Sequence, residues 1–182
     1  MLIRKFLLVL LTTVFVLVAA LIFFQFEASA PAPITPLVEN PVPTVVAKVP
    51  ITVYFTDIHL YAAGIPPFEV GVTRWVPAEA NLPRAVLEAF FKGPTSEESG
   101  MGLEAITSGF TGLRELRIET GIAHLYLEGA CQSLGAIYTI AQPILRNLLQ
   151  FEEIQYVKIY DAEGATEEPE GLVNSIPFCL EP

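Results

Sequence analysis

The two histidines of this 182-residue chain are the first candidates for acid–base catalysis. His59 lies two residues after Asp57, and a carboxylate at that spacing can orient an imidazole. No motif of an activated nucleophile accompanies this pair in the sequence. His124 alternates with Ala123 and Leu125, which places it on the polar side of a predicted strand. We therefore predict a solvent-facing His124 and no catalytic residue at either position.

Metal, phosphate and cofactor chemistry have little support in the sequence. Two separated histidines lack the clustered ligands of a metal site. Glu97 and Glu98 offer adjacent carboxylates to a cation, but carboxylates are also typical of the first turn of a helix. No glycine-rich phosphate loop follows a predicted strand. The sequence therefore predicts no metal ligand and no bound cofactor.

The stretch after the first predicted helix is the most distinctive part of the chain. Lys92 ends that helix with a positive charge, which is favourable at a helix C-terminus. Gly93 tolerates left-handed backbone angles, and Pro94 prevents the helix from continuing. Thr95 or Ser96 then caps a short new helical turn. On local chemistry alone, this stretch is a helix stop followed by a loop.

The same stretch resembles the GerMN domain, a sporulation and spore-germination module of exported bacterial proteins. The resemblance covers about residues 51–164, and its most specific residues are Gly93, Pro94, Thr95, Glu98, Gly102 and Leu103. The chain departs from the family at residues 105–108, where relatives tend to carry a proline. It also departs at residues 125–128, where relatives tend to read Val-Asp-Leu-Ser. The family has no common reaction, so the resemblance implies a fold and a biological setting.

Hydrophobic periodicity predicts the strands that position this loop. Strands are expected over residues 51–56, 68–73, 113–119, 122–127 and 154–160. The third and fourth form a hairpin that turns at Thr120 and Gly121. We therefore expect one pair of strands before the loop, a hairpin after it and a final single strand.

Two helices complete the predicted fold. Asn81 caps the first, and Pro83 is tolerated in its first turn. The second covers residues 134–150, includes Ile137 on its apolar face and is kinked or broken at Pro143. The order ββαββαβ predicts an α+β fold with one mixed or antiparallel sheet and two helices packed on one face. This topology is similar to the ring-building folds of bacterial secretion and sporulation assemblies.

Residues 1–29 are predicted to be a transmembrane anchor or a signal peptide. Residues 6–24 are nineteen uncharged residues, close to the length of about 20 that spans a bilayer core. Arg4 and Lys5 precede them, which favours a cytoplasmic N-terminus and an extracytoplasmic domain. Residues 28–30 read Ala-Ser-Ala, as in a signal-peptidase site, but Pro31 directly after them is unfavourable for cleavage. We predict a single-pass protein of the cell membrane.

Residues 30–50 are predicted to be a linker. This stretch contains six prolines, which prevent a helix and favour an extended polyproline-like chain. At about 3.1 Å per residue it reaches up to roughly 60 Å. The sequence therefore predicts a spacer that holds the domain of residues 51–164 away from the membrane.

Cys131 and Cys179 are the only cysteines in the chain. Exported domains occupy compartments in which disulfides persist, and no metal-binding spacing is present. We expect a disulfide that tethers the polar C-terminal tail, residues 165–182. The alternative is two independent thiols.

The acidic composition limits the possible partners. The formal net charge is −10, and residues 50–182 contain seven Lys or Arg against eighteen Asp or Glu. This balance argues against nucleic acid. We expect a non-enzymatic domain that acts in sporulation, germination or envelope assembly through an unknown envelope protein or cell-wall polymer, with self-association as a further option. The alternative is a cell-wall glycan-binding or peptidoglycan-hydrolysing protein, with Trp75 and Tyr61 as the glycan-binding aromatics.

Overall fold

The structure, a computed structural model, describes residues 47–182 and the single residue Val14. Apart from Val14, the predicted membrane segment lies outside the described residues, as do the signal-peptide alternative and the linker up to residue 46. In the described part of the chain, no helix has both the length and the apolar character needed to cross a membrane.

A first sheet contains three antiparallel strands in the order β2–β1–β3. These strands are β1 at Lys48–Asp57, β2 at Glu69–Pro77 and β3 at Leu103–Glu104. Alternate residues of β1, such as Val53 and Phe55, are fully buried, whereas Thr52 and Tyr54 are half-buried. This period of two confirms the predicted strand pattern, although β1 begins at Lys48 rather than at residue 51.

A second sheet contains three strands in the order β4–β5–β6. These strands are β4 at Phe110–Glu119, β5 at Ile122–Gly129 and β6 at Tyr156–Tyr160. β4 pairs with β5 antiparallel, and β5 pairs with β6 parallel. The α+β class is confirmed, but the prediction of a single sheet is wrong. Periodicity tells which residues of a strand are buried, and it leaves open which strands pair with one another.

The β4–β5 hairpin turns where the sequence predicts it. Thr120 and Gly121 have φ angles of 48° and 83°. Positive φ at both central residues is the geometry of a type I′ turn, whose twist matches that of the two strands it joins.

Within residues 47–182, four α-helices lie between the strands. They are α1 at Ile58–Ala63, α2 at Leu82–Lys92, α3 at Ser96–Gly100 and α4 at Ala141–Leu148. The Asn81 side chain accepts a hydrogen bond from the Arg84 amide at 3.0 Å, so the predicted cap of α2 is confirmed. A proline follows in the first turn of α2, where its missing N–H leaves no bond unmade.

Helix α4 is much shorter than the predicted helix over residues 134–150. Leu134 has a φ of 51°, and Ile137 is 81% exposed rather than part of a buried face. Pro143 is the third residue of α4 and therefore lies in its first turn, so it starts the helix instead of kinking it. Residues 134–140 form an irregular segment that leads into the helix.

Both sheets and two of the helices contribute to one hydrophobic core. Fully buried members include Val53 and Phe55 of β1, Val86, Leu87 and Phe90 of α2, Leu125 and Leu127 of β5, Ile144 and Leu148 of α4, and Val157 and Ile159 of β6. Burying a side chain of this kind contributes about 1.5–3 kcal/mol relative to leaving it in water.

The outer edge of β1 is closed by an amide side chain of α4. β1 pairs with β3 only at Thr56 and Asp57, so its earlier residues have no strand on that side. Asn147 is fully buried there; its Oδ1 accepts from the Tyr54 amide at 2.9 Å, and its Nδ2 donates to the Tyr54 carbonyl at 2.9 Å. One side chain thus makes both hydrogen bonds that a neighbouring strand would make at this residue.

The C-terminal segment, residues 165–182, follows a defined path beside β6. The Ser175 carbonyl accepts from the Ile159 amide at 2.9 Å, and the Ser175 amide donates to the Val157 carbonyl at 3.0 Å. Lys158 of β6 is fully buried beneath the segment, and its ammonium donates to the carbonyls of Glu168 and Glu170. These hydrogen bonds to β6 attach the segment in addition to the disulfide tether that the sequence predicts.

Candidate functional site

Gly93, the first residue after helix α2, adopts a backbone conformation that suits glycine. Its φ is 81° and its ψ is 174°. The positive φ is the one expected from the sequence, but this ψ lies outside the left-handed helical region. Pro94 supplies the reason, because a residue before proline is pushed towards extended ψ values.

We predict that Gly93→Val destabilises the domain by about 1–3 kcal/mol, since positive φ strains a β-branched residue. Gly100→Val is the matched control. A Cβ at either glycine meets no atom within 4 Å, and only Gly93 has a positive φ. Urea unfolding of both variants measures the difference. Equal losses of stability would show that the backbone at Gly93 is not constrained.

Thr95 and Glu98 form a capping box at the start of α3. The Thr95 hydroxyl accepts from the Glu98 amide at 3.3 Å, and the Glu98 carboxylate accepts from the Thr95 amide at 2.8 Å. The two residues satisfy each other's amides, as such boxes do at helix N-termini. The threonine and the glutamate of the motif therefore fix the loop after α2.

Glu98 also joins this loop to strand β2. Its carboxylate accepts two hydrogen bonds from the Arg74 guanidinium, at 2.7 and 2.6 Å. Arg74 lies over the Phe55 ring, with its Cζ 5.9 Å from the ring centroid. These bonds from Arg74, followed by the Thr95 amide, lower the pKa of Glu98 to about 2. The Glu98 carboxylate is thus an ion-pair partner rather than a proton donor.

The Arg74–Glu98 pair predicts an acid-dependent loss of stability. The folded pKa of Glu98 lies below the ordinary value of 4.5, so the carboxylate stabilises the fold fully above that pH and progressively less towards pH 2. Glu98→Gln should therefore be less stable than wild type at neutral pH, and the difference should disappear near pH 2. Glu97→Gln, at an exposed carboxylate, is the control. A pH-independent difference measured by urea unfolding would contradict this assignment.

The last two residues of the motif join α3 to the first sheet. Gly102 has a φ of 95°, and a Cβ there would lie 2.4 Å from Cδ2 of His59. The glycine thus makes room for the imidazole. Leu103 begins β3 and is 4% exposed. All six motif residues lie in the short segment that connects α2 to the first sheet.

The two histidines occupy separate surroundings without a partner that would activate them. Asp57 accepts from the backbone amides of His59 and Leu60, so it caps α1 instead of orienting the imidazole. His124 is half-buried on the outer face of the second sheet, with Nδ1 3.1 Å from the Tyr160 hydroxyl. Within residues 47–182, no three His, Cys, Asp or Glu side chains gather in a geometry that holds a metal ion.

A groove of about 580 Å³ lies beside the motif loop. We call it the β2–α2 groove, because residues of strand β2 line one wall and residues of helix α2 line the other. Its lining consists of Arg74, Trp75, Val76, Pro77, Ala80, Ala85, Glu88, Ala89, Lys92, Gly93, Pro94 and Thr95. Half of the motif, from Gly93 to Thr95, forms one end of this groove. The sequence contains no signal for it, because local patterns leave open how β2 and α2, which follow each other in the chain, are placed side by side.

The two aromatic residues predicted for glycan binding differ in their surroundings. Trp75 is 63% exposed and lies at the β2–α2 groove. The Tyr61 ring packs against Phe68 and Tyr138, with centroids 5.4 and 5.1 Å away. The structure does not bring Trp75 and Tyr61 together in one aromatic platform, since these ring contacts place Tyr61 in a cluster of its own.

Cys131 and Cys179 form a disulfide, with their Cα atoms 6.1 Å apart. It ties the C-terminal segment to the irregular stretch after β5. Leu180, the next residue after Cys179, is 1% exposed and belongs to the hydrophobic core. The disulfide therefore lies beside a second, apolar attachment of the same segment.

Comparison with known protein families finds a match over residues 52–168 to Germane, described as sporulation and spore germination. The chain belongs to the Germane family. The match contains the second sheet, the first sheet from residue 52 of β1 onwards, the motif loop and the first residues of the C-terminal segment. The predicted GerMN resemblance is thereby confirmed.

A search of the curated proteins found no match. Among solved structures, the chain is similar to the tandem GerMN domains of the sporulation protein GerM from Bacillus subtilis. The identity is 18% and the TM-score is 0.46. The match covers 79% of this chain and 49% of that one, so this chain spans about half the length of the tandem protein.

Proposed function

We propose that this Germane protein is a non-enzymatic, extracytoplasmic module that acts in sporulation, germination or envelope assembly by binding another envelope component. Its N-terminal residues 6–24 hold it at the membrane, and its proline-rich residues 30–50 separate the domain from the bilayer. The observation that carries the proposal is the structural role of the family motif. Glu98, the motif's carboxylate, is bound by Arg74 and Thr95 and is therefore a structural residue.

Topology and phenotype test this proposal together. Reporter fusions after residue 50 and after residue 182 should be active outside the cytoplasm, and the full-length protein should stay in the membrane fraction with its N-terminus intact. A deletion strain should show a defect in spore formation, germination or envelope integrity. Cytoplasmic reporters, or a deletion strain without any of these defects, would overturn the proposal.

The alternative is a cell-wall glycan-binding protein, and the exposure of Trp75 at the β2–α2 groove favours it. Exposed aromatic rings stack on sugar faces, and a groove supplies polar neighbours. Purified peptidoglycan should then retain the full-length protein and release its Trp75→Ala variant. Equal retention of the two proteins would exclude this role for Trp75.

A further inference from the structure

Strand β2 presents unpaired backbone groups along its outer edge. β2 is an edge strand of the first sheet, and β1 is its neighbour on the other side. Tyr54 and Thr52 of β1 direct backbone groups to Asn147 and Gln150, away from β2. In an antiparallel pair, the residues opposite them direct their own backbone groups the other way. Those residues are Gly71 and Thr73, with Trp75 following in the same alternation.

The outer backbone edge therefore offers an N–H and a C=O at Gly71 and at Trp75, and an N–H at Thr73. Within residues 47–182, the Thr73 carbonyl accepts a long 3.3 Å bond from the Arg74 guanidinium, and no other side chain bonds to this edge. An unpaired edge of this length is a template for a further strand.

Helix α2 provides the second wall of a docking groove across from residues 74–77 of β2, and the outer edge continues from this groove along the strand to Thr73 and Gly71. The α2 residues in the β2–α2 groove are Ala85, Glu88, Ala89 and Lys92, a spacing of three and four that places them on one side of the helix. This side borders the core side, which carries Val86, Leu87 and Phe90, and Ala85 and Ala89 are half-buried where the two sides meet. The two alanines leave space between helix and strand, which is the space that the side chains of an added strand fill.

The charges in the groove distinguish among possible occupants. Arg74 is paired with Glu98, and Glu88 is paired with Arg84. Lys92 is exposed, and among the described residues no carboxylate forms an ion pair with it. The groove thus carries one unmatched positive charge on a domain that is otherwise strongly acidic. A complementary occupant carries a carboxylate beside Lys92.

We propose that the β2–α2 groove binds an extended acidic peptide segment of a partner protein, which adds to β2 as a new strand. The segment's backbone pairs with Gly71, Thr73 and Trp75. Its alternate side chains are small and apolar where they face Ala85 and Ala89, and an aspartate or glutamate lies against Lys92. This inference rests on the proposed binding function and specifies the surface and the chemistry of the partner.

Selection from random peptides tests the proposal without a known partner. Random twelve-residue peptides displayed on phage are selected on the full-length chain in detergent micelles, and the enriched sequences are synthesised. We expect alternating apolar residues with at least one aspartate or glutamate. Trp75 is the single tryptophan of the chain, so its fluorescence should shift to shorter wavelength when a peptide covers the groove. A selection that yields no binding peptide, or only basic or helix-forming ones, would overturn the proposal.

Three variants test the position of the added strand. Thr73→Pro removes an outer-edge N–H while leaving the β1–β2 hydrogen bonds in place, which edge strands tolerate. Ala89→Leu fills part of the groove with a larger side chain, and leucine is a good helix former. This variant therefore tests docking even if the proline variant folds poorly. Each should weaken binding at least about tenfold, corresponding to about 1.4 kcal/mol. Lys92→Glu should weaken acidic peptides roughly five- to tenfold and should favour peptides in which lysine replaces the acid.

Unchanged affinity in both Thr73→Pro and Ala89→Leu would place the peptide elsewhere and overturn the proposal. Concentration-dependent dimers of the chain that disappear in Thr73→Pro would show a second copy as the occupant, which contradicts a foreign acidic segment. Complementation separates this proposal from the proposed function. If the Thr73→Pro and Ala89→Leu variants both restore the deletion strain fully, the docking groove is refuted but the proposed function stands. If the deletion causes no defect, the proposed function itself is refuted.

Discussion

Replacing Asn147 by leucine is expected to lower the free energy of unfolding by about 3 kcal/mol. The substitution leaves the Tyr54 N–H and C=O buried without the amide that now binds both. Each buried polar group that loses its partner costs about 1–3 kcal/mol. Urea unfolding of the full-length protein at neutral pH, followed by circular dichroism, measures the loss.

Gln150→Ala is the matched control for this prediction. Gln150 also donates to β1, through a 3.1 Å bond to the Thr52 carbonyl, but its side chain is exposed. Water replaces that bond, so the variant should lose less than about 1 kcal/mol. A leucine variant as stable as wild type would show that another group satisfies Tyr54 and that α4 does not close the edge of β1.

Loss of the disulfide is the second large effect that we expect. The double variant Cys131→Ser/Cys179→Ser should be less stable than wild type by up to about 4 kcal/mol, because the bond closes a sequence interval of 48 residues in the unfolded chain. Urea unfolding with and without reductant measures the difference. Mass spectrometry of the native, unreduced protein should find the two cysteine peptides linked.

The reductant provides the control for the disulfide prediction. Reduced wild type should be as unstable as the double variant, and the variant itself should not respond to reductant. Two freely alkylated cysteines in the native, unreduced protein would defeat the assignment. A bond that forms without changing stability would indicate that Lys158 and Leu180 already hold the C-terminal segment.

Local patterns in the sequence predict much of this fold. The alternation in β1 and the glycine turn at Thr120 and Gly121 depend on neighbouring residues, and so does the Asn81 cap. The sequence predicts the position of each of these three features to within a few residues. The predicted boundaries of α4 are wrong, because the apolar spacing that includes Ile137 is compatible both with a helix and with an exposed irregular segment. Pro143 gives the better signal, since proline favours the first turn of a helix.

Contacts between distant residues account for what the sequence does not predict. Nothing local pairs Arg74 with Glu98, which lie 24 positions apart in different elements. The burial of Lys158 contradicts the usual exposure of lysine, and its partners lie in the polar C-terminal tail. The β2–α2 groove requires the strand and the helix to be placed side by side, which is a property of the tertiary fold.

The burial of Lys158 has a consequence for its chemical reactivity. Three lysines lie between residues 47 and 182; Lys48 and Lys92 are exposed, whereas Lys158 is fully buried. An acylating reagent reaches the Lys158 amine only while the C-terminal segment lifts, and each 1.4 kcal/mol required for opening slows its labelling by about tenfold. The exposed Lys92 gives the labelling rate of an unprotected amine in the same molecule. The labelled fraction of Lys158 relative to that of Lys92, measured by mass spectrometry, therefore reports how readily the C-terminal segment opens across the population of molecules.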